Sequence, residues 1–371
     1  MGAVGASMDG MNSLTLITAV TVAATWAQIP SPNAPGSNEL LATSASSATH
    51  VWAVGRVVNG STLRTLVLRH NGTAWAIVGH PAPAGNGMFR AVDAMSNNDA
   101  WAAGFQNGGT RTLVQHWDGS AWTTVPGPNP NPNGLNELRG VKAVQGSLWA
   151  VGSYSRPGGS YGSIKLIAQR GPSGVWRTFS SPAITPEDFL EAVDATGPGD
   201  AWAVGWGSTS PFGGTAVAVT LRWNGSAWAS VPLPQPSPVM LFGVATVAPN
   251  DVWAVGHTYP GGPHWIPGIW HWDGVSWTRA SIPALPNGGQ LRDVVALSPS
   301  NVYAVGLDGE GLSARSLVLH WDGVSWTRES TPGPKLYGAA TVAPGTMWGV
   351  GYGYNQTVAA NQTSTIVTRN G

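Results

Sequence analysis

Seven times along this 371-residue chain a short apolar run closes on glycine after an aromatic residue. The copies are HVWAVG ending at Gly55, DAWAAG at Gly104, SLWAVG at Gly152, DAWAVG at Gly205, DVWAVG at Gly256, NVYAVG at Gly306 and TMWGVG at Gly351. Their aromatics, Trp52, Trp101, Trp149, Trp202, Trp253, Tyr303 and Trp348, are 49, 48, 53, 51, 50 and 45 residues apart. A fixed period of this length signals stacked supersecondary units, and the pitch is that of propeller blades.

A second motif runs in step with the first. HWDGVSWTR occurs at 271–279 and again at 320–328. The unit at 291–329 reads as four strands: LRDVVALS, a turn, VYAVG, a loop, SLVLHW, an Asp-Gly corner and VSWTRE. Asp-Gly between apolar or aromatic runs is a strong hairpin signal and predicts a type I′ turn with positive φ at both central residues. The corner recurs at Asp118-Gly119, Asp273-Gly274 and Asp322-Gly323, with Asn71-Gly72 and Asn224-Gly225 as variants. VWAVG is apolar on both faces, as a strand covered on both sides must be. No helical-period segment reaches ten residues, so the sheets have only each other to pack against.

The two ends of the chain complement each other. The C-terminal unit stops at STIVTRNG, short of its fourth strand, while ATWAQIPSP near the start (24–32) aligns with SAWASVPLP and TAWAIVGHP. The expectation is an all-β, seven-bladed β-propeller of four-stranded antiparallel blades over residues 24–371. An N-terminal outer strand at 24–30 completes the last blade and removes an exposed edge. Eighteen of the 20 tryptophans then fall in repeat register, where each buries on the order of 150–250 Å² between blades. Residues 1–23 form a lead-in or the remnant of a signal. The run from Ser13 to Ala24 has the length of a signal-peptide core and is too short to span a bilayer, but the first basic residue is Arg56.

DVWAVG and LVLHWDGVSWTRES together resemble a kelch-type or galactose-oxidase-type blade, in which an aromatic strand ends in Gly and a later strand carries an acidic corner followed by Trp. The corner also resembles the Asp-box of sialidase-like propellers, with Asp and Gly adjacent rather than spaced. The resemblance covers residues 24–371 and concerns architecture. It departs in the single Gly that closes each aromatic strand, and in RGPSGVW, which replaces the corner near residue 170. It implies extracellular or scaffold binding roles more often than chemistry.

Composition narrows the function. Eighteen basic and 18 acidic residues balance, without runs, which disfavours nucleic acid and anionic membrane as partners. Cysteine is absent, removing thiolate nucleophiles, disulfides and the Cys-Tyr cross-link that galactose-oxidase copper chemistry requires. No cofactor is expected. Nor is a metal site, because His271 of the His257, His264, His271 group belongs to the repeat with His116 and His320.

Arg90, Arg139 and Arg292 lie near the starts of innermost strands and converge on the axis, with Glu137, Asp93, Glu191, Asp194 and Asp293 on the same strands. They make either a solvated ring of mixed charge or a glycan-active hydrolase or lyase site; the adjacent Glu187 and Asp188 are too close together to flank one bond. The connections after each WAVG vary most, and loops on a rigid scaffold carry binding. They hold Trp206 and Trp265, the two tryptophans outside the repeat, with Tyr154, Tyr161, Phe212, Tyr259, Tyr352 and Tyr354. Such rings form an aromatic platform for a polysaccharide or protein partner, or else cap the blade ends. The favoured reading is a non-enzymatic, secreted or cell-surface binding propeller, with a structural, oligomeric surface subunit as a further alternative.

Overall fold

The computed structural model describes residues 25–159, 162–210, 214–234, 238–343, 346–354 and 362–369. They form seven four-stranded antiparallel sheets. The innermost strands are Ser37–Ser47, Met88–Ser96, Asn136–Val144, Glu187–Gly197, Val239–Ala248, Gly289–Ser298 and Leu336–Ala343, which open blades one to seven in that order. Each blade continues outward through the aromatic strand, the third strand and a short outer strand. In blade two these are Asp99–Gln106, Arg111–Trp117 and Trp122–Val125.

The circle is closed as the termini imply. Trp26–Ile29 is the outer strand of blade seven and pairs antiparallel with Gln362–Arg369, placing Trp26 opposite Arg369 and Ile29 opposite Ile366. Trp26 donates its indole N–H to Glu329 of blade six at 2.6 Å, and Arg369 holds the same carboxylate at 3.1 Å. Beyond the strand, Asn33 accepts the Ser364 backbone N–H at 2.9 Å.

Aromatic packing between blades follows one rule. In four of the seven blade pairs the aromatic of one blade's second strand inserts between the third-strand and outer-strand tryptophans of the next. Trp52 meets Trp117 and Trp122, both with ring centres 5.0 Å away. Trp149 meets Trp223 and Trp228, Trp202 meets Trp272 and Trp277, and Trp253 meets Trp321 and Trp326. These edge and tilted contacts are the preferred geometries of ring quadrupoles. Sixteen of the eighteen repeated tryptophans are therefore core, and Trp176 and Trp321 are half-buried.

The glycine closing each aromatic strand has a cause visible only in three dimensions. Every innermost strand carries a β-bulge opposite it, for example between Leu138 and Gly140 in blade three and between Leu291 and Asp293 in blade six. The bulge pushes a backbone carbonyl over the glycine. A Cβ on Gly55, Gly104, Gly152, Gly205, Gly256, Gly306 or Gly351 would overlap the carbonyl of Glu39, Met88, Glu137, Phe189, Met240, Gln290 or Lys335 respectively. A bulge also leaves one residue unpaired and re-aims its side chain.

The hairpin corners correct the type I′ expectation. Trp117 faces Trp122, Trp272 faces Trp277 and Trp321 faces Trp326, so each loop holds four residues. Only the glycine has positive φ, as at Gly119 with φ 98°. The Asp folds the corner itself: Asp118 Oδ1 accepts the N–H of Ser120 and of Ala121 at 2.8 and 2.9 Å. Those hydrogen bonds lower the Asp118 pKa to about 2.

Candidate functional site

The seven bulges place seven side chains around the entrance of the central channel. In blade order they are Leu41, Arg90, Arg139, Glu191, Phe242, Arg292 and Tyr337, the residues skipped by the pairing register. All seven line one cavity of about 210 Å³ at the mouth. Arg90, Arg139, Glu191 and Arg292 are thus brought together around one cavity. Phe242 and Tyr337 belong to the same ring, and the signal for them was their equal offset within each unit.

Half of this mouth is electrically satisfied. Arg90 pairs with Glu137, which also binds Arg139 at 3.0 Å, and Arg139 reaches Glu191 at 2.5 Å. Burial opposes the Arg139 charge, but Glu191 and Glu137 outweigh it and raise its pKa. Trp206 donates to Glu191 at 3.0 Å and stacks on Phe189 at 4.6 Å.

The other half holds Arg292. Among the described residues no carboxylate lies within ion-pair distance of it. Its guanidinium sits 4.4 Å from the Phe242 ring centre and 5.5 Å from that of Tyr337. It donates to the Gln290 side-chain carbonyl, and its Nε is buried without a partner. Burial lowers its pKa, yet an arginine remains charged under any ordinary condition. Tyr352 extends this sector, stacking on Tyr337 at 4.7 Å with a hydroxyl-to-hydroxyl bond of 3.0 Å.

Deeper in the channel a chamber of about 360 Å³ is lined by Asp93, Lys142, Asp194 and Asp293. Here the carboxylates bridge blades. Asp93 accepts the Ala143 N–H, Asp194 that of Thr246, and Asp293 that of Ala339, at 2.8, 2.7 and 2.9 Å. Each ties one innermost strand to the next. Lys142 lies 3.1 Å from Asp194 and 3.8 Å from Asp93, which hold it protonated. Burial pushes Asp293 up to about 7 and raises Asp93.

The aromatic residues do not form one platform. Trp265 and Tyr259 meet at 5.0 Å over a pocket of about 280 Å³ between blades four and five, floored by Pro238, Met240 and His257. His257 is 2% exposed, lies 4.2 Å from the Trp265 ring and stacks on Phe242 at 5.2 Å. Burial, reinforced by the charge of Arg292, pushes its pKa down to about 3, so the imidazole is neutral. Trp265, His257, Phe242, Arg292 and Tyr337 therefore form one continuous ladder from the pocket to the mouth.

The expectation that Trp206, Tyr154, Tyr352 and Tyr354 sit in connecting loops is corrected. The aromatic strands run past their glycines, to Ser155, Ser208 and Tyr354, because the innermost strand keeps pairing beyond the bulge, as Trp206 opposite Phe189 shows. Tyr154 packs into the core between blades two and three. Tyr161 and Phe212 lie outside the described residues, as does the side chain of Tyr354 and the segment 1–24.

The histidines are packing residues. His116, His271 and His320 stack on Trp101, Trp253 and Tyr303 at 4.1, 4.1 and 4.2 Å. Among the described residues, no three His, Asp or Glu side chains gather as metal ligands, and no helix is long and apolar enough to cross a membrane.

No protein-family model matches the chain, and no curated protein sequence matches it. Solved structures do match in shape. YCF48 bound to D1 peptide superposes with a TM-score of 0.58 at 16% identity, covering 93% of this chain and 96% of that one. The extracellular domain of the one-component system BT4673 from B. thetaiotaomicron gives 0.55 at 10% identity, over 88% of this chain and 38% of that chain. An α-L-arabinofuranosidase, arb93a from Fusarium graminearum, in complex with an iminosugar inhibitor, gives 0.50 at 13%, over 76% and 92%. At these identities the likeness is one of fold. It supports a seven-bladed propeller and leaves the kelch-type subdivision open.

Proposed function

We propose that this protein is a non-enzymatic binding propeller that captures an extended segment of a protein partner on the face where the aromatic strands end. The partner places a carboxylate against Arg292 and an apolar side chain in the Trp265 pocket. The observation that carries this reading is Arg292, a desolvated cation between two rings with no carboxylate in contact among the described residues. A charge so placed gains most from an incoming anion, because a charge-assisted hydrogen bond is roughly twice as strong as a neutral one.

The neighbouring pocket selects the kind of partner. Pro238, Met240, Tyr259 and Trp265 offer apolar surface, and the His257 ring nitrogens are covered. That suits a leucine- or phenylalanine-sized anchor better than sugar hydroxyls, which need polar partners around them. A glycan-cleaving site would need two available carboxyl groups flanking the bond. At the mouth, Glu137 and Glu191 are each held by arginine. One propeller of the same fold is described with a peptide bound, and another as an extracellular domain. A secreted or cell-surface location is part of the proposal.

A peptide array run beside a glycan array tests it. The expected result is selection of peptides pairing an acidic group with a large apolar residue, with binding weakened at least about tenfold by either Arg292→Gln or Trp265→Ala. Selection of neutral glycans, or peptide binding indifferent to both substitutions, overturns the reading.

A further inference from the structure

The seam where the ring closes carries a second, independent feature. In blades two, four, five and six the third strand ends in tryptophan, at Trp117, Trp223, Trp272 and Trp321. Each of these indoles fills the space beside the second-strand tryptophan of the preceding blade. Three of them donate N–H to the carbonyl at the turn joining the first two strands of their own blade: Trp117 to Asn97, Trp223 to Pro198 and Trp321 to Pro299.

Blade one has His70 at this position, opposite Trp75 in the register that pairs Trp117 with Trp122. The imidazole accepts the Gly72 N–H at 3.2 Å. It also keeps the tilted ring contacts, 4.6 Å from Trp348 of blade seven and 5.4 Å from Trp75. What it lacks is the second ring. A cavity of about 670 Å³ opens there, walled by His70, Trp75 and Trp348 and by Ile29, Pro30 and Thr368 from the closing strands.

We infer that this seam cavity binds a planar bicyclic aromatic molecule of indole size, which packs beside the His70 imidazole and against Trp75 and Trp348. His70 holds the position that tryptophan fills in blades two, four, five and six, and the cavity beyond its smaller ring is walled by the equivalent aromatic pair, Trp75 and Trp348. A preformed apolar cavity flanked by aromatic faces is the kind of site that takes up small aromatic molecules from water. Because the wall includes residues on both sides of the closing strand, an occupant also holds blade seven to blade one, and ligand stabilises the closed ring by mass action.

Saturation-transfer NMR with indole as the probe, on the full chain, tests the inference alongside thermal unfolding. His70→Trp is expected to fill the cavity, weaken indole binding at least about tenfold and raise the melting temperature by about 1–4 °C. His70→Phe, a smaller change that keeps the chain foldable should the indole be too large, is expected to weaken binding to a lesser degree. Trp265→Ala leaves indole binding unchanged, which separates this site from the loop-face pocket. Indole that shows no transfer at millimolar concentration, that binds His70→Trp as well as the native chain, or that is lost with Trp265→Ala overturns the inference.

Discussion

Replacing Trp26 with alanine should open the ring at one place. Trp26 is 7% exposed and packs among Tyr303, Val318, Met347 and Val367, joining blades six and seven through a strand only four residues long. Truncating a buried tryptophan costs about 3–5 kcal/mol. The indole's hydrogen bond to Glu329 adds about 1 kcal/mol more, a modest sum because Glu329 keeps Arg369 at 3.1 Å and is not left alone. The expected loss is therefore about 4–6 kcal/mol, read by guanidinium unfolding. Hydrogen exchange locates it: the amides of residues 366–369, which pair with Trp26–Ile29, should exchange faster. Trp326→Ala supplies the control, since Trp326 is 4% exposed in a blade continuous in sequence; it should cost a similar amount and leave those amides protected. A loss below about 1 kcal/mol, or undiminished protection at 366–369, refutes the closure argument.

Gly256→Ala forces a Cβ into the Met240 carbonyl and should cost about 3 kcal/mol or more by chemical unfolding; a neutral result contradicts the link between glycine and bulge. Gly323→Ala is expected to be milder, about 1–2 kcal/mol, because φ is 95° and the Cβ meets Ser300 at 2.8 Å. For Asp293, whose pKa rises from 3.8 to about 7, the folded state binds the proton more tightly than the unfolded chain does. Its contribution is present below pH 4 and is lost as the pH climbs towards 7. Asp293→Asn should therefore gain stability relative to the native chain across that interval, by up to about 4 kcal/mol. Parallel stability curves from pH 4 to 8 refute the assignment.

Much of the architecture was legible because it is written in period and residue type. The spacing of Trp52, Trp101 and their counterparts gives seven blades, and the unmatched ATWAQIPSP completes the seventh. Packing roles were also legible: a tryptophan that recurs in register has the same neighbours in each blade. What escaped was set by backbone detail. The bulge that aims Leu41, Arg90, Arg139, Glu191, Phe242, Arg292 and Tyr337 at the axis leaves only two traces in the chain, the lone glycine opposite it and the equal offset of these residues within each unit. The Asp corners looked like two-residue turns, because Asp-Gly does not state that the side chain rather than a positive φ bends the chain. Trp206 and Tyr352 read as loop residues in the sequence, since strand pairing beyond a bulge has no residue signature. Arg292 was visible as a channel residue, but its lack of a carboxylate depends on which charges three other blades bring to it.

The reading of function turns on which surface meets the partner. Hydrogen-exchange mass spectrometry of the protein with the best peptide from the array measures this directly. Slowed exchange is expected in 238–243, 257–266 and 289–293, the segments that carry Met240, His257, Trp265 and Arg292. Slowed exchange confined to the opposite face, at the corners around Asp118, Asp273 and Asp322, would contradict it.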